Sequence, residues 1–149
     1  MMHISPRGLA LIREFEGFSA EPYLCSGGKM TIGYGHVLTA DESAMLEKIT
    51  KEHAEALLIQ DVAIAEHAVR RLVKTTLAQN QFDALVSFVY NVGAGAFEKS
   101  TLLRLVNARD FNAAANQLTR WVYASGKKLN GLMRRRMAEK AMFLHGFNI

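Results

Sequence analysis

Three side chains near the N-terminus carry different chemistry at short spacing: the carboxyl of Glu16, the thiol of Cys25 nine residues on, and the hydroxyl of Thr31 six residues further. Glu16 closes the first predicted helix directly before Gly17, where exposed carbonyls present partial negative charge and disfavour a carboxylate. Partly desolvated by Phe15 or Phe18, an acid at that place holds its proton to higher pH, the property a general acid requires. Each residue also has a plainer reading. Most such glutamates are surface residues, a free cysteine is usually a small core residue, and a threonine suits any strand. Placement separates the two readings. Cys25 and Thr31 flank a glycine turn, and a hairpin folded back over the end of the first helix brings all three side chains to one cleft.

The elements that must hold these residues follow from periodicity and caps. Ser5-Pro6 reads as an N-cap with proline at the first helical position, and Leu9, Ile12 and Phe15 recur at helical spacing, giving a helix over about 6–16. Tyr23-Leu24-Cys25 and Met30 to Gly35 read as two short strands around Ser26-Gly27-Gly28-Lys29. Thr39-Ala40-Asp41-Glu42 fits a capping box, and Thr50 caps a long helix with a stripe of Ala54, Leu57, Leu58, Ala65, Ala68, Val69 and Leu72. Between Gln81 and Val92 apolar residues cover most of the circumference, which predicts a helix buried on nearly all sides. Ser100 and Asp110 cap further helices over about 101–108 and 111–123, and a last one runs over about 130–145 before Gly146. The fold class is α+β, mostly α, with one small sheet. No linker or repeat interrupts the chain, so residues 1–149 read as a single domain.

Composition narrows the function. Half of the 149 residues are hydrophobic, enough for a substantial core, and no run of 18 apolar residues suggests a membrane span. Met1 to Pro6 lack the pattern of a secretory signal peptide. With Cys25 the only cysteine, an intramolecular disulfide is excluded and a zinc site built on thiolates is not expected; no cofactor or metal is implied. The net charge of +4 is unevenly distributed: residues 1–98 hold 8 Lys/Arg and 12 Asp/Glu, residues 99–149 hold 10 and 2. The basic C-terminal third, including Arg134, Arg135 and Arg136, is expected either to attract an anionic wall or membrane or to be an ordinary solvated face.

Considered together, Glu16, Cys25 and Thr31 resemble the glutamate, aspartate-or-cysteine, threonine triad of the phage T4-type lysozymes, a glycoside hydrolase family that includes many lambdoid endolysins. The similarity continues through Glu16-Gly17-Phe18, Thr31-Ile32-Gly33-Tyr34-Gly35-His36, Gln81 to Leu85, Phe88 to Gly93, Phe97 with Ser100 to Leu103, Arg120-Trp121-Val122 and Gly131 to Arg136. The resemblance implies a lysozyme-like, two-lobed domain with a small hairpin lobe and a helical lobe around the buried helix. It also implies a monomeric endolysin that hydrolyses the β-1,4 bond between N-acetylmuramic acid and N-acetylglucosamine in peptidoglycan. Such an enzyme starts from the host cytoplasm and reaches the wall once the membrane is permeabilised.

In that frame Glu16 protonates the departing oxygen, and Cys25 and Thr31 place a water opposite it. Many relatives carry aspartate where Cys25 stands, and a neutral thiol supplies no negative charge. Cys25 as a thiolate nucleophile is the alternative, with Lys29 the only basic residue nearby. Tyr90 and Ser100 match positions that face the sugar, although a core aromatic and an N-cap explain them as well. His36, a lone histidine at the base of the hairpin, is expected to order the cleft and not to bind metal. The rival functions are a lytic transglycosylase acting on the same bond, and a membrane-disrupting basic protein using Leu129 to Phe147. Nucleic acid is not an expected partner, since no reading helix or stacking platform accompanies the basic residues.

Overall fold

The computed structural model describes residues 1–25, 28–43, 48–124 and 126–145; Ser26 and Gly27 of the expected turn, and Gly146 and Phe147 beyond the last helix, lie outside them. The described chain is mostly helical with small antiparallel sheets. It divides into two compact units, Arg13–Ala63 and Met1–Ile12 with Ile64–Ile149. Helices α1 (Pro6–Glu16) and α3 (Lys51–Leu72) each contribute residues to both. No helix among the described residues is long and apolar enough to cross a membrane.

Local signals set the helix starts. Ser5 Oγ accepts from Gly8 N at 3.2 Å with Pro6 opening α1, and Thr50 Oγ1 accepts from His53 N at 3.1 Å at the start of α3. At α2 (Ala40–Ser43) the capping box is reciprocal: Thr39 N donates to Glu42 Oε1 at 3.0 Å and Glu42 N to Thr39 Oγ1 at 3.2 Å.

In unit Arg13–Ala63, strands β1 (Ser19–Leu24), β2 (Met30–Gly33) and β3 (His36–Val37) form an antiparallel sheet in that order. β1 lies at an edge, which accommodates Pro22 and its missing N–H. The sequence reading ran the second strand on to Gly35. Instead the chain turns at Tyr34-Gly35, using positive φ at Gly33 (67°) and Gly35 (85°), and returns as β3. Ile32, Ile49, Ala54 and Leu57, with Tyr34 and Leu38 against them, form the core of this unit.

In the other unit α4 (Gln79–Val92) is central, with eight consecutive residues, Phe82 to Val89, buried as the all-round apolar pattern predicted. Around it run α5 (Ala94–Glu98), α6 (Thr101–Asn107), α7 (Phe111–Leu118) and α8 (Asn130–His145). Ser100 and Asp110 cap α6 and α7 through Leu103 N at 3.0 Å and Ala113 N at 3.4 Å. The expected helix to 123 ends at Leu118. Thr119 Oγ1 donates back to the Asn116 carbonyl and Trp121 N to the Leu118 carbonyl, and the extended chain beyond turns Val122 into the core. A second hairpin, β4 (Tyr123–Ala124) with β5 (Lys127–Lys128), follows, marked in the sequence only by Ser125-Gly126.

The largest departure from expectation concerns the arginine run. Arg134 is exposed, but Arg135 and Arg136 are buried on the face of α8 that meets α4. Both pair with Glu139, which is 0% exposed: Arg135 Nε lies 3.2 Å from Oε2 and Arg136 Nε 2.9 Å from Oε1. Ser87 Oγ donates to Glu139 Oε2 at 2.6 Å, Arg136 Nη2 donates to Asn91 Oδ1 at 2.7 Å, and the Arg136 guanidinium lies over the Phe88 ring. Burial pushes the Glu139 carboxyl above its ordinary pKa, against the pull of both arginines. The buried guanidiniums are therefore core groups and not wall contacts. Glu139→Ala strands two buried cations, and a loss of about 3–5 kcal/mol is expected in denaturant unfolding. Arg134→Gln, by contrast, is expected to change stability by no more than about 0.5 kcal/mol.

Candidate active site

Glu16, Cys25 and Thr31 all belong to unit Arg13–Ala63. Glu16 is the last residue of α1, and Gly17 follows at φ 71° with its N–H on the Arg13 carbonyl. Arg13 Nη1 in turn donates to Glu55 Oε1 on α3 at 2.6 Å, which holds the last turn of α1 against α3.

The Glu16 carboxylate rests on Gly35. A Cβ placed on Gly35 would stand 2.7 Å from Glu16 Oε1 and 3.3 Å from its Cδ, so the space a side chain would occupy is the seat of the acid. The turn needs glycine at this position for its positive φ, and a side chain there would also displace the Glu16 carboxylate from its seat.

Across the sheet Tyr23 stands directly opposite Thr31, and Cys25 follows with its N–H on the Lys29 carbonyl at 2.9 Å. Opposed residues of an antiparallel pair project to the same face, so Tyr23 and Thr31 are neighbours. Thr31 is buried, and its Oγ1 donates to the Lys29 carbonyl at 3.0 Å. With its proton committed, this hydroxyl offers lone pairs alone to anything else. The Tyr23 phenol is held above its ordinary pKa by burial first, and then by the charges of Glu16 and of an ionised Cys25. Glu16, Tyr23 and Cys25 therefore share one electrostatic neighbourhood. The sequence reading missed Tyr23; its place two residues before Cys25 on a period-two strand was the available signal.

His36, in β3, is buried between two carboxylates: Nδ1 is 2.7 Å from Asp61 Oδ2 on α3, and Nε2 is 3.0 Å from Glu42 Oε2 on α2. Burial opposes the imidazolium, but the hydrogen bonds and charges of Asp61 and Glu42 outweigh it and raise the pKa above the ordinary 6.5. Glu42 is itself held below the usual carboxylate range, chiefly by the Thr39 N–H. Both ring nitrogens are turned to carboxylates, and among the described residues no group of His, Cys, Asp and Glu is arranged to hold a metal.

Tyr90 and Ser100 lie in the other unit, both half-buried. Ser100 accepts from Leu103 N and donates to the Phe97 carbonyl at 2.7 Å, so it is an N-cap whatever else it does. Asp83 and Glu66, further buried carboxylates there, are tied to the N-terminal segment. Asp83 accepts from the N–H and the hydroxyl of Ser5 and from Gln79, and Glu66 from Ile4 N at 2.6 Å.

This fold, with an acid at a helix end facing a short hairpin, is that of a lysozyme-like glycoside hydrolase. The chain matches the phage lysozyme family over residues 13–139 and belongs to it. It is 42% identical over 146 residues to the endolysin of Acyrthosiphon pisum secondary endosymbiont phage 1, covering 95% of this chain and 98% of that protein. It is 44% identical over 147 residues to the endolysin of Bacillus phage B103, of which it spans 55%. Among solved structures, the muramidase domain of SpmX from Asticaccaulis excentricus superposes with a TM-score of 0.87 at 41% identity, covering 97% of this chain and 99% of that one. The chain is accordingly a lysozyme, an endolysin with muramidase activity.

The Gly35 seat has a measurable signature. Gly35→Ala introduces both a left-handed alanine and a clash with the Glu16 carboxylate, whereas Gly126→Ala, at φ 78° with nothing within 4 Å, introduces the strain alone. Both variants are expected to lose about 1–3 kcal/mol of stability. Only Gly35→Ala is expected to lose wall-hydrolysing activity at a temperature where both are folded, as measured by turbidity loss of outer-membrane-stripped Gram-negative cells.

Proposed function

We propose that Glu16 is the general acid of an inverting hydrolysis of the β-1,4 bond between N-acetylmuramic acid and N-acetylglucosamine, and that Cys25 and Thr31 position the attacking water. The observation that carries this reading is the seating of the Glu16 carboxylate on Gly35, beside a sheet on which Tyr23, Cys25 and Thr31 gather. The Glu16 carboxyl gives its proton to the glycosidic oxygen as the C–O bond breaks. Water adds to the anomeric carbon and releases a proton to solvent, from which Glu16 is reprotonated.

Thr31, its own proton engaged by the Lys29 carbonyl, accepts a hydrogen bond from that water and so turns the oxygen lone pair away from itself. Cys25 acts as a neutral neighbour of the same water. A thiol charged beside Glu16 would oppose the carboxylate that forms on proton transfer. Tyr90 and Ser100 are proposed sugar contacts, and Ser100 can serve only as an acceptor. In this reading residues 1–149 form one catalytic domain acting as a monomer. The enzyme works from the host cytoplasm once the membrane is permeabilised, and exposed Lys127, Lys128 and Arg134 meet the anionic wall.

Without a proton donor the leaving sugar departs as an alkoxide, and general-acid catalysis typically supplies about 10² to 10⁴ in rate. Glu16→Gln is expected to lose at least about 10² in turnover on purified peptidoglycan. A folded variant retaining a tenth of wild-type rate contradicts the assignment.

The role of Cys25 is read from the stereochemistry of the first product. Water positioning gives the α anomer, seen by proton NMR before mutarotation, together with substantial activity in Cys25→Asp and a weakened Cys25→Ser. A β anomer, or a glycosyl adduct on the thiol, establishes a covalent nucleophile instead.

A further inference from the structure

We propose that His36 is a positioning residue for the acid, holding the Gly35 turn, and through it the Glu16 carboxylate, in place against α3. The proposal rests on the assignment of Glu16 as general acid. Helix α3 is the common reference for both sides of the seat. Glu55 on α3 takes Arg13 and so fixes the last turn of α1, whose final residue is Glu16. Asp61, further along α3, takes His36 Nδ1 at 2.7 Å and so fixes the first residue of β3, directly after Gly35. The distance between Glu16 and Gly35 is thus set by two ion pairs drawn to one helix.

Glu42 closes the arrangement. Its carboxylate lies 3.0 and 3.1 Å from His36 Nε2 and is also anchored by Thr39 N, so it cannot swing away without opening the capping box. Only the imidazolium can donate from both nitrogens. Neutral imidazole turns one lone pair toward a carboxylate, and either β3 or α2 must give way. The titratable groups facing His36 are Asp61 from α3 and Glu42 from α2. Because the folded pKa is raised above 6.5, the stability His36 contributes is fully present below pH 6.5 and is lost as pH rises through the folded value.

The test uses the full-length enzyme with ¹³C-labelled glutamate carboxyls, the Glu16 resonance being assigned by Glu16→Gln. Glu42→Gln is the informative variant, because glutamine preserves the capping box while removing one charge from His36. In wild type, the Glu16 carboxyl resonance is expected to shift as His36 titrates. In Glu42→Gln that shift and the alkaline limb of stability move to lower pH, kcat on soluble wall fragments falls about tenfold and KM is unchanged; a full misplacement of about 1 Å would cost up to about 10². In His36→Gln the His36-linked shift disappears. A Glu16 resonance and a kcat like wild type in folded Glu42→Gln overturn the proposal. So does a lowered kcat with an unmoved Glu16 resonance, which places the effect of His36 elsewhere. Should Glu16→Gln stay active, the acid assignment fails, while the carboxyl resonance still reports on the seat by itself.

Discussion

The pairing of α3 carboxylates with cations from other elements is the constraint on which the unit Arg13–Ala63 depends. The end of α1 and the turn before β3 are short pieces that bury little apolar surface of their own. Ile32, Ile49, Ala54 and Leu57 hold the sheet to α3, but hydrophobic contact is non-directional and does not fix where a carboxylate points. Directional ion pairs do. Arg13 with Glu55 and His36 with Asp61 are only partly exposed, at 31% and 36% and at 9% and 24% of their side chains, so solvent screens them less than surface pairs.

The other unit solves a comparable problem in a drier setting. Arg135, Arg136 and Glu139 stand almost wholly out of water, where desolvation of each charge costs several kcal/mol unless every group is met. Ser87, Asn91 and the face of Phe88 add partners, although Arg136 Nη1 is buried without a hydrogen bond among the described residues, and Phe88 is itself braced edge-on by Trp121 and Phe97. Burial of Phe82, Leu85, Phe88 and their neighbours contributes about 1.5–3 kcal/mol per large side chain. The polar network adds register, since the contacts of Glu139 and Arg135 with Ser87 and of Arg136 with Asn91 form in one alignment of α8 on α4.

A thiol in place of a carboxylate at position 25 affects the electrostatics of the hairpin more than its geometry. Thr31 and Tyr23 are placed by strand register, and that register is a backbone property indifferent to the side chain at Cys25. A neutral thiol removes one negative charge from the neighbourhood of Glu16. Under the proposed mechanism, an oxocarbenium-like transition state draws its stabilisation from Glu16, as it ionises, and from the oriented water.

The sequence by itself determined the starts of the capped helices and their order. The caps at Ser5, Thr39, Thr50, Ser100 and Asp110 each close within three residues, so the interaction that makes them is complete before the chain folds. It also determined the all-round burial of α4, the spacing of Glu16, Cys25 and Thr31, and the family. Only tertiary structure decided which charges are buried. Ser87 meets Glu139 across 52 residues and His36 meets Asp61 across 25, and no local pattern distinguishes Arg135 and Arg136 from the exposed Arg134 beside them. The turn at Tyr34-Gly35, the second hairpin and the role of Gly35 as the seat of an acid were equally out of reach. The seat depends on what α1 brings to Gly35, and the two turns are short local pairings with few residues to mark them.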